Sequence, residues 1–115
     1  MQKFQGDDIA FSIEMFTDDT EAIPMNLDQK DEVIIYAYTD GCVKAKLSKT
    51  TKPGYRTLVR SSAFEYTGII ESDLTKNMAE GVIIIELNIT TGALNDVKVF
   101  NSGITLSKST IKAES

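Results

Sequence analysis

The feature that most constrains this chain is a two-residue alternation of apolar and polar side chains, punctuated by Gly and Asp at short intervals. Successive side chains of a strand point to opposite faces, so alternation marks half-buried strands. In IAFSIEM, Ile9, Phe11, Ile13 and Met15 fall on one face and Ala10, Ser12 and Glu14 on the other. In VKAKLSK, Val43, Ala45 and Leu47 face inward, while Lys44, Lys46 and Ser48 face water as suits an exposed or edge strand. VIIYAYT, residues 33–39, is apolar on both faces, so it is central or covered twice, and its core face stays open. Thr39–Gly41, TDG, reads as the hairpin turn between these two strands. Between the first strand and VIIYAYT, Asp18-Asp19 reads as a turn and Pro24 as extended chain.

Further on, Thr50–Tyr55 is a loop with a Pro-Gly turn. RTLVRSSAFEYTGII is extended, with Leu58, Phe64, Tyr66 and Ile69 as its expected anchors. SDLTKNMAEG interrupts the strands. Ser72 or Asp73 is positioned to cap a helical turn, Leu74 and Met78 share one side of it, and Gly81 supplies a left-handed stop. VIIIELNIT then places Ile83, Ile85, Leu87 and Ile89 on a continuous inner face, with Val82 and Ile84 outward among Glu86, Asn88 and Thr90. DVKVFNSGITLSKSTI reads as a closing pair of strands with Asn101–Gly103 as the turn, and residues 112–115 read as a short flexible tail. Seven to eight short strands, one helical crossover and no long amphipathic helix in 115 residues predict one domain spanning 1–115, an all-β sandwich or barrel.

Composition narrows the chemistry. The net charge of -5 speaks against a surface that tracks phosphates, so nucleic acid is not an expected partner. There is no His, which removes the commonest neutral-pH base, the commonest metal ligand and every Ser-His-Asp or Cys-His arrangement. Cys42 is the single cysteine, so neither an intrachain disulfide nor a thiolate zinc site is available. Asp73, Lys76 and Glu80 on the helical turn carry no catalytic motif, and an enzyme is not expected. Asp7-Asp8, Asp18-Asp19 and Asp28 with Asp31 are acidic turns without the spaced pattern of a calcium loop; no metal and no cofactor are expected. MQKFQGDDIAFSIEMF has acidic residues where a secretory leader needs an apolar stretch, and Val82–Ile85 is too short to cross a bilayer. The expected setting is synthesis in a bacterial cytoplasm without membrane insertion.

Several short motifs in order carry a resemblance. GDDIAFSIEM is followed by the acidic turn Asp18-Asp19, then IPMNLDQKDEVIIYAYT, a middle hairpin, SDLTKNMAEGVIIIELNI and the ending VKVFNSGITLSKST. This series resembles the N-terminal immunoglobulin-like domain of phage baseplate upper proteins and related tail-fibre adaptors. Asn26 stands where that family has Asp, and Val82 where it has an aromatic residue. The resemblance implies an immunoglobulin-like sandwich without catalytic residues, working by protein–protein contact with other virion proteins or with itself, and located in the virion if phage-encoded. The candidate contacts are Val82 and Ile84 on the outward face, with Tyr55 and Arg56 on the Pro-Gly loop, where exposed aromatic and Arg side chains favour interfaces. The alternative function is a module that binds a carbohydrate or cell-surface ligand through its tyrosines.

Overall fold

A computed structural model describes residues 2–16, 24–40 and 43–108. The first half contains β1 (Gln2–Phe4), β2 (Ile9–Glu14), a 3-10 turn at Leu27–Gln29, β3 (Glu32–Tyr38) and β4 (Lys44–Ser48). The second half contains β5 (Arg56–Thr57), β6 (Val59–Ser62), β7 (Glu65–Ile70), α1 (Ser72–Thr75), β8 (Gly81–Thr91) and β9 (Leu94–Ser107). The expected turn at Asp18-Asp19, the residues Gly41 and Cys42, and the tail 112–115 lie outside the described residues.

The strands form two sheets. The larger has the order β1-β9-β8-β3-β4-β5, the smaller β2-β7-β6. β2, β7 and β6 take the B, E and D positions of an immunoglobulin domain; β3, β8 and β9 take C, F and G, with β4 beyond C. The fold is therefore an all-β, immunoglobulin-like sandwich. The extra strands are short: β1 runs parallel to β9, and β5 parallel to β4. β5 and β6 are one extended stretch that leaves the larger sheet and joins the smaller, with Leu58 buried at the switch.

The alternation assigns the core well. Ile9 and Ile13 of β2 are buried, with Phe11 and Met15 packed against the same cluster. Val33, Ile35 and Ala37 settle the open question of β3, because they are buried while Ile34, Tyr36 and Tyr38 are half-buried on the other side. Ala45, Leu47, Ile83, Ile85, Leu87 and Ile89 complete the larger sheet's inner face. Burying each such Leu or Ile contributes about 1.5–3 kcal/mol, and the cluster is contiguous across both sheets.

Two anchors are displaced from expectation. Tyr66, Gly68 and Ile70 point inward on β7, so Ile70 and not Ile69 fills the core, and Phe64 is exposed in the turn before β7. Gly68 hides the period because an inward position without a side chain reads as a break. Its smallness has a cause: an added Cβ would lie 2.8 Å from Phe11 Cζ and 2.9 Å from Leu47 Cδ2, on strands of the two different sheets.

The crossover from β7 to β8 is helical, as expected, but differently capped. Neither Ser72 nor Asp73 caps it. The carboxylate of Asp8, from the β1–β2 turn, accepts from the Ser72 N–H at 2.7 Å. Thr75, fully buried, accepts from the Gly6 N–H at 3.0 Å and donates to the Asp7 carbonyl at 2.7 Å. A turn this short cannot hold itself, and contacts with the chain's beginning replace a local cap. Gly81 does not stop the helix, which ends at Thr75; it opens β8 with φ 140°.

The closing pair of strands is also revised. Residues 94–107 form one strand, and Asn101–Gly103 is a bulge within it. Val82 faces Thr105 and Ile84 faces Asn101, so β9 carries two extra residues there. Gly103, at φ 77°, turns the strand without reversing it. The true reversal is Gly92-Ala93, between Thr91 and Leu94.

Candidate interaction surface

The four candidate contact residues lie on or beside the outward face of the larger sheet. Along one row, Ile84 has Asn101 on one side and Tyr38 on the other, and Tyr38 faces Lys44. Along the next, Glu86 lies between Val99 and Tyr36, and Tyr36 faces Lys46. Val82 is 38% exposed, whereas Ile84 is half-buried among its row neighbours. At the far side Tyr55 is half-buried, its ring 6.3 Å from that of Tyr36 and its hydroxyl 3.1 Å from the Tyr36 hydroxyl. That hydrogen bond, then burial, raises the Tyr36 pKa. Lys44 sits 4.8 Å over the Tyr38 ring and Lys46 5.9 Å over that of Tyr55, so cations cover the tyrosines. The two candidate pairs thus occupy different strands of one face and do not meet in a single site.

Arg56 is exposed and pairs with Glu71 across the sandwich edge. The Pro53-Gly54 turn, with Gly54 at φ 80° and the Tyr55 N–H donating to the Lys52 carbonyl, presents both residues. Between them lies a cleft of about 410 Å³, open to solvent, floored by Leu47, Ile69 and Leu74 and rimmed by Lys46, Tyr55, Arg56 and Glu71.

The described acidic turns are occupied structurally. Asp7 accepts from the Phe4 N–H at 3.0 Å, and Asp31 from the Gly92 N–H at 2.5 Å. Asn26 caps the 3-10 turn by accepting from the Asp28 N–H at 3.0 Å, a role that an Asp side chain could fill equally. Asp28 accepts from the Tyr66 hydroxyl and from Arg60, and its pKa is lowered: Tyr66 is the leading cause, burial opposes it, and Arg60 and Lys49 add to it. Lys49 Nζ donates to the carbonyls of Leu27, Asp28 and Lys30, which fastens the same turn to β4. Among the described residues no group of three or more His, Cys, Asp or Glu is placed to hold a metal ion, and no helix is long and apolar enough to cross a membrane.

The largest exposed apolar feature was not among the candidates. Leu94 is 73% exposed, Val99 59% and Val97 54%, and Phe100 is exposed as well. All four lie in the first half of β9. There the strand pairs with β8 on one side, while β1 reaches only Thr105–Ser107 on the other. Among the described strands, none pairs with the outer edge of residues 94–101. A signal for this was present. Asp96 and Lys98 fall on the core side of the alternation, opposite Ile89 and Leu87, and a charged core side means that no second sheet covers it.

No family model matches this sequence, and neither a curated protein nor a solved structure matches it.

Proposed function

We propose that this domain is a non-enzymatic interaction module that works by protein–protein contact through the free edge of β9 and the adjoining outward face around Val82 and Ile84. One observation carries the reading: Leu94, Val97, Val99 and Phe100 are exposed together on a strand edge that no described strand pairs with. Exposed edges with apolar side chains recruit another strand, because backbone groups supply affinity and alternate side chains supply choice. The resemblance to phage baseplate and tail-fibre domains supplies the setting, a virion component of a phage or prophage. Fold alone does not assign such a role.

The test is a photo-reactive amino acid at Val99, with Ser61 on the smaller sheet as the control, in the native host culture. Covalent capture of a defined protein, or of this chain, from Val99 and not Ser61 is the expected result. Capture from Ser61 alone, or from neither position, overturns the reading.

A second reading is favoured by the cleft beside Tyr55. An apolar floor with a Tyr, an Arg and a Glu at its rim suits a carbohydrate or small cell-surface ligand. Binding on a glycan array that Tyr55→Ala abolishes would select it; an array with no binder removes it.

A further inference from the structure

The free edge of β9 carries a self-complementary pattern. A two-residue turn closes on a hydrogen-bonded pair, here Thr91 and Leu94. Hydrogen-bonded and non-hydrogen-bonded pairs alternate along the ladder, so Asn95, Val97 and Val99 direct their backbone N–H and C=O groups away from β8. These groups belong to the unpaired edge described above.

Consider a second copy laid antiparallel along that edge, about a two-fold axis normal to the sheet. Each residue then faces one from the same side of its own sheet, and only registers two residues apart are allowed. Centring the axis on Asp96 sets Asp96 against the partner's Asp96 and Lys98 against the partner's Leu94. Centring it on Lys98 sets Lys98 against the partner's Lys98 and Asp96 against the partner's Phe100. Centring it on Val99 sets Lys98 against the partner's Phe100. With the axis on Val97, Asp96 faces the partner's Lys98, Lys98 faces the partner's Asp96, and Leu94 and Phe100 face each other at both ends. On the opposite side Val97 meets the partner's Val97, and Asn95 meets the partner's Val99.

We propose that the partner of this edge is a second copy of the chain, paired β9 to β9 in the register centred on Val97, so that the two larger sheets become continuous. Inward-side charges on an edge strand ordinarily prevent pairing. Here Asp96 and Lys98 oppose the neighbouring registers and favour one. About six backbone hydrogen bonds form across the axis. The inner side of this half-strand is uncovered in the single chain, since Asp96, Lys98 and Phe100 are all exposed, so the smaller sheet leaves the approach clear.

The proposal rests on the edge being the contact surface, and charge reversal separates the two claims. The protein's mass is measured by light scattering over a wide concentration range in 0.15 M salt, which screens the repulsion between copies of net charge -5. A dimer is expected. Asp96→Lys and Lys98→Asp each place like charges face to face and should weaken it by about tenfold or more. The double variant Asp96→Lys, Lys98→Asp restores the complementarity and should restore the dimer. Amide exchange at Asn95, Val97 and Val99 should slow as concentration rises. All three variants should keep the wild-type urea midpoint under dilute conditions, because both side chains are exposed. A monomer at every concentration, or a dimer indifferent to the single reversals, overturns self-pairing. If Val99 nevertheless captures a different protein, the interaction reading stands without it; if it captures nothing, both fall.

Discussion

The two halves of β9 belong to the same strand and hydrogen-bond to the same neighbour, yet they live in different surroundings. From Ile104 onward the strand is built in: Ile104 and Leu106 are buried, and β1 covers its outer edge. From Leu94 to Asn101 every residue is exposed, and among the described strands none lies beside the outer edge. The smaller sheet has three strands against six, so it covers the middle of the larger sheet and leaves a flank. Hydrogen bonding to β8 shapes both halves, but only one half is held by a core. Exposure of the other follows from the layer above it, a property no single strand carries.

Substitutions can break this contrast, and the largest effect belongs to the covered side. Leu87→Ala removes a fully buried side chain from β8 and should cost about 2–5 kcal/mol in urea unfolding. Val97→Ala, one strand away, should cost no more than about 0.5 kcal/mol under dilute conditions. A cost for Val97 equal to that for Leu87 would mean that the flank is covered within one chain. Next comes Thr75→Val, which keeps the shape but leaves the Gly6 N–H and the Asp7 carbonyl without their partner. It should cost about 1–3 kcal/mol and loosen β1, so amide exchange should quicken in residues 2–8 and not at the β8–β9 turn. Gly68→Ala should fall toward the lower end of about 1–3 kcal/mol, because the groups it meets are side-chain tips on Phe11 and Leu47 that can shift.

The smallest effect is one of pH. Burial alone would raise the Glu32 pKa, but hydrogen bonds from Thr50, Lys52 and the Val33 N–H outweigh it and hold the carboxyl below its ordinary 4.5. A carboxyl whose pKa is lower folded than unfolded contributes stability above the unfolded value, and that contribution is lost as pH falls through the folded one. Stability should therefore fall on acidification below about pH 5. Glu32→Gln should flatten that fall and cost roughly 1 kcal/mol or less near neutrality. An unchanged acid limb would show that Glu32 is not among its causes.

Most of the core was readable because alternation reports a face directly: the buried series on β2 and β8 is the one the sequence predicts, while on β4 Ser48 is buried beside Ala45 and Leu47 although the alternation points it to water. β3, apolar on both sides, required its neighbours. The errors share a cause, since Gly and Asn signal a change of direction without stating its size. Asn101–Gly103 reads as a reversal and is a bulge; Gly81 reads as a helix stop and begins a strand; Ile69 reads as an anchor because Gly68, the inward position, has no side chain to show it. The caps of α1 were hidden for another reason, since Asp8 reaches Ser72, and Gly6 and Asp7 reach Thr75, across 64 to 69 residues of chain. Of the candidate contacts, Val82 does lie exposed and Tyr55 with Arg56 does rim a cleft, but Ile84 is half-buried among its row neighbours. The more exposed edge at residues 94–100 was legible only through Asp96 and Lys98, whose charges on the core side of the alternation mark a stretch that no second sheet covers.

The parallel pairing of β1 with β9 also sets a timetable. Gln2 lies beside Thr105, so the first strand is made long before its neighbour. At a synthesis rate of about 5–20 residues per second, the interval is roughly 5–20 seconds. For that time β1 has no ladder to join. Loop-closure entropy also disfavours contacts this remote in sequence. Closure of the larger sheet is thus the last event in making this domain, and the strand that completes it is the same one that leaves the new edge behind.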